Sequence, residues 1–369
     1  MRSGRCHFTR FPAVLLVLFG SCTLDAGSAR ANDRLEQIDV FTSGTEGYHT
    51  YRIPAIVLTG NHTLLAFCEG RKNGRGDRGD LDLMLRRSTD GGKNWQPMQL
   101  VYEEGGTAKI TIGNPCPVVD RTTGTIWLPF CRNNDRVLMT HSTDDGKTWA
   151  RPVEITRDVK KPPWGWYATG PGHGIQLSNG RLVVPCDNRD TSETQDKAWK
   201  ASGRSHVIYS DDHGKTWRLG GVTERGMNEC EVVELADKSL LLSMRNYFGN
   251  SLRAFTTSAD AGLTWSKSKH HPQVYCPTCQ ASMHRYSLEP QNVILYSGPG
   301  GPGRSRMTIR LSKDEGKTWP VAKVLYEGSS AYSDLVVLPD GTIGCLYERD
   351  DYGKITFARF AIEWLGERP

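Results

Sequence analysis

Ser142-Thr143-Asp144-Asp145-Gly146-Lys147-Thr148-Trp149 carries a pattern, S-x-D-x-G-x-x-W, that the chain repeats five times. The other copies run from Ser88 to Trp95, Ser210 to Trp217, Ser258 to Trp265 and Ser312 to Trp319, and successive starts lie 54, 68, 48 and 54 residues apart. Each unit reads as a stapled turn. Ser and Asp side chains bond backbone groups inside the turn, and Gly permits a positive φ. The Trp folds back as an apolar plug against adjoining strands.

Each copy follows a strand-like run: LDLMLRRS, VLMTHS, SHVIYS, LRAFTTS and MTIRLS. Further β-rich runs separate the copies, among them LLAFCEG, TIWLPFC, RLVVPCD and CEVVELADKSLLLSMRN. No long 3.6-period apolar stripe competes with them. Four short strands per period of roughly 50 residues is the signature of a propeller blade. The reading is therefore all-β, a six-bladed β-propeller of four-stranded antiparallel blades. Five blades are marked by the unit, and a sixth closes the ring with N-terminal and C-terminal strands.

Composition narrows the class. With 37% hydrophobic and 24% charged residues, the 369-residue chain reads as one globular domain over 32–369 rather than a disordered polymer. Arg2, Arg5 and Arg10 precede the apolar run Phe11 to Phe19, and Ala29-Arg30-Ala31 fits a cleavage site. Residues 1–31 therefore read as an export signal, with a secreted or periplasmic product and an alternative lipid anchor at Cys22. Removing the four arginines and Asp25 of that segment lowers the formal net charge from +5 to +2. No polybasic run argues for nucleic acid, and no later segment is long and apolar enough for a transmembrane helix. Most remaining cysteines sit in apolar runs and read as buried thiols. Cys276 and Cys279 read as a disulfide or two buried thiols, since no second pair completes a metal site.

These units, with Tyr51-Arg52-Ile53-Pro54, Asn228-Glu229-Cys230, LLLSMR ending at Arg245, RSRMTIRLS and Ala331-Tyr332-Ser333-Asp334, resemble the sialidases (neuraminidases) of bacterial type. The likeness covers nearly the whole chain after residue 31. It implies an exo-α-sialidase acting on terminal sialic acid of oligosaccharides, glycoproteins or glycolipids, without a cofactor or metal. It also implies that the five turn units lie away from the catalytic face. A sialoglycan-binding lectin and a trans-sialidase are the alternatives.

The substrate's chemistry explains the residue types. Sialic acid carries a carboxylate on its anomeric carbon, and the planar guanidinium fork suits it. The resemblance assigns that clamp to Arg52, Arg245 and Arg304, with Arg306 as rival for the third place, and Glu348 as the acid bracing Arg52. An anionic nucleophile would be repelled by the carboxylate, whereas a phenol is not. The resemblance makes Tyr332 that nucleophile and Glu229 its base. Protonating the leaving oxygen needs a carboxyl on a solvent-facing loop. In GRKNGRGDRGD (70–80), the resemblance gives that role to Asp77, which keeps the family's spacing to Arg87, with Asp80 and the following Asp82 as runners-up. Arg71, Asn114 and Gln280 are expected to contact substrate, and Trp164, Trp166 and Tyr167 offer faces for stacking. His173, inside Gly172-His173-Gly174, reads as a structural residue.

Overall fold

The computed structural model describes residues 1–5, 7, 34–193, 202–288 and 291–366. The expected export segment, with Cys22, falls almost wholly outside them. Among the described residues no helix is long and apolar enough to cross a membrane.

The β-rich runs become antiparallel sheets arranged as a propeller. The first sheet orders Thr50–Leu58, Leu64–Arg71, Leu81–Ser88 and Gln99–Tyr102. The second is built on Ile126–Arg132 and Arg136–Ser142, and the third on Trp164–Thr169, Leu182–Asp190 and Gly203–Ser210. Met227–Glu234, Leu240–Asn246, Leu252–Ser258 and Lys269–Tyr275 form the fourth. The last sheet has seven strands. The 17-residue strand Val321–Val337 runs through it, pairing with Ser305–Ser312 up to Ser329 and with Ile343–Arg349 from Ser330 onward. Among the described residues hydrogen bonding therefore yields five sheets, and a count of six blades requires dividing that strand at Ser330. Glu36–Thr42 pairs with Lys354–Phe360, joining the N-terminal strand to the C-terminal sheet.

The repeated unit explains how neighbouring sheets lock. In every copy the Ser hydroxyl donates to the Asp carboxylate, at 2.7 to 2.9 Å, and accepts the Gly N–H at 2.8 to 2.9 Å. The hydrogen bonds outweigh the desolvation penalty and hold Asp90, Asp144, Asp212 and Asp260 down to about 2. Each staple then reaches the preceding sheet. Trp149 meets Phe67 edge-on at 5.6 Å, Trp217 meets Trp127 at 6.4 Å, and Trp319 stacks on Phe255 at 6.1 Å. Trp95 packs on Phe357 of the last sheet at 5.4 Å, and the Trp265 indole N–H donates to Gly221 O at 3.0 Å. The Gly is needed for space as well as for its φ near +80°: a Cβ on Gly214 would lie 2.1 Å from Trp127, and one on Gly92 2.2 Å from Phe357.

At the axis the sheets meet through polar side chains. Asp334 accepts the Ile56 N–H at 2.7 Å, His173 Nδ1 at 2.7 Å and the Ser282 hydroxyl at 3.0 Å. Glu231 accepts the Met283 N–H at 2.8 Å, and its Oε2 lies 2.8 Å from Ser282 Oγ, whose one proton the two carboxylates share. All these groups are buried, so each satisfied bond avoids a desolvation penalty. His173 is thus a fully bonded hub residue, in keeping with its structural reading.

Candidate active site

One end of this axis opens into a cavity of about 200 Å³. Its wall includes Arg52, Arg245, Arg304, Tyr332, Glu229, Asp77 and Asn114, so the seven come together from segments far apart in the chain. Irregular backbone puts three of them there. The pairing register slips between Arg52 and Ala55, between Met227 and Cys230, and between Ser330 and Ser333. A bulge twists a strand and re-aims its side chains. Pro54, which has no N–H for the ladder, sits inside the first of them. Ile53 adopts φ +62° there, and its N–H turns to Glu348 Oε1 at 2.9 Å.

Glu348 organises one side of the site. Its two oxygens take Arg52 Nε and Nη2 at 2.9 and 3.0 Å, and Oε2 also accepts the Tyr332 N–H at 3.1 Å. Burial alone would lower the basicity of Arg52, but the Glu348 carboxylate overrides it and raises it. Arg52 lies 5.0 Å from the Tyr332 ring centroid and Arg304 lies 5.4 Å from it. Arg304 donates to Tyr352 Oη at 3.2 Å and Thr278 O at 3.3 Å, whereas its rival Arg306 is half exposed and pairs with Glu327 at 3.0 Å.

The phenol is held from two directions. Tyr332 Oη donates to Glu229 Oε1 and accepts from Arg245 Nη1 at 2.9 Å, and Arg245 Nη1 also meets Glu229 Oε2 at 2.6 Å. Burial, reinforced by the charge of Glu229, pushes the phenol well above its ordinary value, against the pull of Arg245 and Arg304. The resting tyrosine is therefore neutral, with a base already on its proton.

Asp77 stands across from it on the loop, its side chain three-quarters exposed. Arg71 Nη1 donates to it at 2.8 Å and Arg52 Nη1 lies 3.7 Å away. Partial burial works to raise this carboxyl, but Arg71 and Arg52 together hold it below the usual range. The runners-up are occupied elsewhere: Asp80 and Asp82 both pair with Lys72, and Asp82 accepts from Tyr48 Oη at 2.6 Å.

Four expected contacts need correction. Gln280 is fully buried and does not reach the cavity; its amide bonds Ser333 N–H at 3.0 Å and Ser333 O at 2.9 Å, bracing the strand behind Tyr332. Arg71 is buried too, its fork spent on Glu69 at 2.7 and 3.0 Å, so it acts on Asp77 rather than lining the wall. Trp164 and Tyr167 pack into the core around His206, leaving Trp166 as the cavity-lining aromatic of that trio. Cys276 and Cys279, by contrast, are buried free thiols, one of the two states expected for them.

Sequence reasoning missed Asp187, Arg189, Asn228 and Tyr247, which complete the wall. Strand alternation held a signal: Asp187 and Arg189 are two apart on Leu182–Asp190, as are Arg245 and Tyr247 around the end of Leu240–Asn246. Glu69, also missed, clamps Arg71 and accepts the Asn114 N–H at 2.9 Å.

Comparison with known proteins gives the family. A family model for the BNR repeat-like domain matches residues 62–345. A sialidase of Micromonospora viridifaciens is 36% identical, over 89% of this chain and 54% of its own length. An exo-alpha-sialidase of Aspergillus fumigatus is 30% identical, over 88% of this chain and 86% of its own. The solved structure of the Hadza microbial sialidase Hz136 superposes with a TM-score of 0.80 at 29% identity, over 89% of this chain and 68% of that one. The chain belongs to the sialidase family with BNR repeats, and its fold is that family's β-propeller. It spans about half the length of the Micromonospora relative.

Proposed function

We propose that this chain is an exo-α-sialidase, a glycoside hydrolase releasing terminal sialic acid from glycoconjugates with retention. The observation that carries the reading is the Tyr332 hydroxyl, bonded at once to Glu229 and Arg245, with the guanidinium groups of Arg52 and Arg304 at 5.0 and 5.4 Å from its ring. A neutral nucleophile ringed by cations suits an anomeric centre that already bears a carboxylate.

Arg52, Arg245 and Arg304 bind that carboxylate. Tyr332 Oη then bonds the anomeric carbon as the glycosidic C–O bond breaks, its proton passing to Glu229. Asp77, which Arg71 and Arg52 keep ionised at rest, takes up a proton from solvent as substrate binds and gives it to the departing oxygen. Water next attacks the anomeric carbon and yields a proton to Asp77, while the phenolate leaves and recovers its proton from Glu229. A sugar-binding lectin has no use for the Tyr332–Glu229 pair or for a carboxyl on the facing loop. The N-terminal charge and apolar pattern supports an exported product.

Turnover of a panel of sialyl-lactose isomers by wild type and Tyr332→Phe tests this. The variant should lose at least ~1,000-fold in kcat, because general-base-assisted nucleophilic attack is removed. Undiminished cleavage by it would reject the mechanism, and no release of sialic acid by wild type would reject the function.

A further inference from the structure

Each arginine of the clamp has to be held in place, because like charges around one cavity repel and a long free side chain spreads over many rotamers. Arg52 has Glu348 for this, and Arg245 has Glu229. Arg304 pairs with no carboxylate among the described residues; its hydrogen bonds go to Thr278 O at 3.3 Å and Tyr352 Oη at 3.2 Å. The same Tyr352 lies against Arg52, whose guanidinium carbon is 4.2 Å from its ring centroid. One side chain therefore meets two of the three cations. Its electron-rich face carries Arg52, and its phenolic oxygen accepts from Arg304. The ring also packs against Ile53, Cys279, Ala331 and Tyr332, which ties it to the strand of the nucleophile.

The backbone at Tyr352 is strained. The residue belongs to the hairpin loop 350–353 between Ile343–Arg349 and Lys354–Phe360. Asp350, Asp351 and Tyr352 have φ of +55°, +54° and +65°. Aspartate tolerates this left-handed region, whereas a bulky aromatic residue rarely enters it. Three contacts hold the loop so. Ser43 Oγ donates to the Tyr352 carbonyl at 2.8 Å, and Arg349 Nη1 donates to Asp350 at 2.8 Å. Asp351 pairs at 2.7 Å with Arg75, from the loop that carries Asp77. Strain maintained beside a functional cavity points to a task for the side chain it presents.

We propose that Tyr352 is a positioning residue of the carboxylate clamp, fixing Arg304 against Arg52 so that both forks are aimed before substrate arrives. This rests on the sialidase reading and deepens it. Tyr352 is not part of the cavity wall and acts only through the two arginines.

Titration calorimetry tests this with two ligands, 2,3-dehydro-2-deoxy sialic acid and its methyl ester, on wild type, Tyr352→Phe and Tyr352→Leu. Both ligands present the same sugar body, and the ester lacks the charge that the clamp recognises. Phenylalanine keeps the face against Arg52 and loses the acceptor for Arg304; leucine loses both. Affinity for the acid should fall about three- to tenfold in Tyr352→Phe and about ten- to hundredfold in Tyr352→Leu. Affinity for the ester should stay within about twofold in both, since no charge-assisted bond is there to lose. Tyr352→Phe preserves the packing of the ring, so the comparison survives a leucine variant that does not fold. A residue that only shaped the hairpin would weaken both ligands alike or neither. Equal losses for acid and ester, or undiminished affinity for the acid in both variants, would overturn the proposal. Wild type that binds acid and ester equally would instead fault the clamp, and with it the sialidase reading.

Discussion

Replacing Glu348 by Gln tests whether one carboxylate sets both the clamp and the nucleophile. Its oxygens serve four donors: Arg52 twice, Ile53 N–H and Tyr332 N–H. An amide keeps one acceptor oxygen and turns the other into a donor. Either orientation therefore breaks two of the four bonds and leaves the Arg52 guanidinium without its counter-charge. The pair is almost dry, with side chains 8% and 1% exposed. Breaking such a pair on one side costs about 3–5 kcal/mol. Each broken bond to a charged group accounts for about 1.5–3 kcal/mol of that. We expect a melting temperature lower by several degrees and kcat/KM lower by about 100-fold, which corresponds to about 2.7 kcal/mol of transition-state stabilisation. Scanning calorimetry and a fluorogenic sialoside assay on the same preparation measure both. Should the variant melt within a degree of wild type and turn over within threefold, the carboxylate is not the organiser described here.

Two more outcomes follow from the fold. Gly214→Ala puts a Cβ 2.1 Å from Trp127 at φ +85°, so chemical denaturation should show a loss of about 2–4 kcal/mol from strain and overpacking, with KM unchanged in the folded fraction. Burial would lower His173, but Asp334 and Glu231 override it and raise it to about 9 from its ordinary 6.5. A proton held more tightly when folded adds stability fully present below pH 6.5 and lost as pH rises through 9. Wild type should therefore lose stability relative to His173→Asn across that window, measured by urea unfolding at several pH values. A constant difference would show that His173 is not charged at the axis.

Much of the architecture was legible because the turn units are local. Ser, Asp, Gly and Trp lie within eight residues of each other, and their bonds close inside the turn. The propeller followed from their spacing, although the continuous run through Ser330 did not, since Gly328-Ser329-Ser330 reads as a turn that would break the strand. The site was legible where side-chain chemistry is distinctive: Arg52, Arg245, Arg304, Glu229 and Tyr332 meet at one cavity, with Glu348 bonded to Arg52. It failed where burial decides the role. Gln280 and Arg71 read as substrate contacts because their side chains are polar and near the right motifs, yet both are consumed by backbone or carboxylate partners behind the wall. Asp187 and Arg189 escaped although their alternation sets them on one strand face, because nothing inside VVPCDNRD marks that face as the one that meets the cavity.

The pairing of Glu36–Thr42 with Lys354–Phe360 has a mechanical consequence. These segments are more than 300 positions apart in sequence, yet Glu36 faces Arg359 and Thr42 faces Lys354. Tension between the chain's two ends would peel this ladder one rung at a time, as a zip opens, instead of shearing all rungs together. The propeller should accordingly yield to pulling at low force, and its first extension step should correspond to release of that single strand.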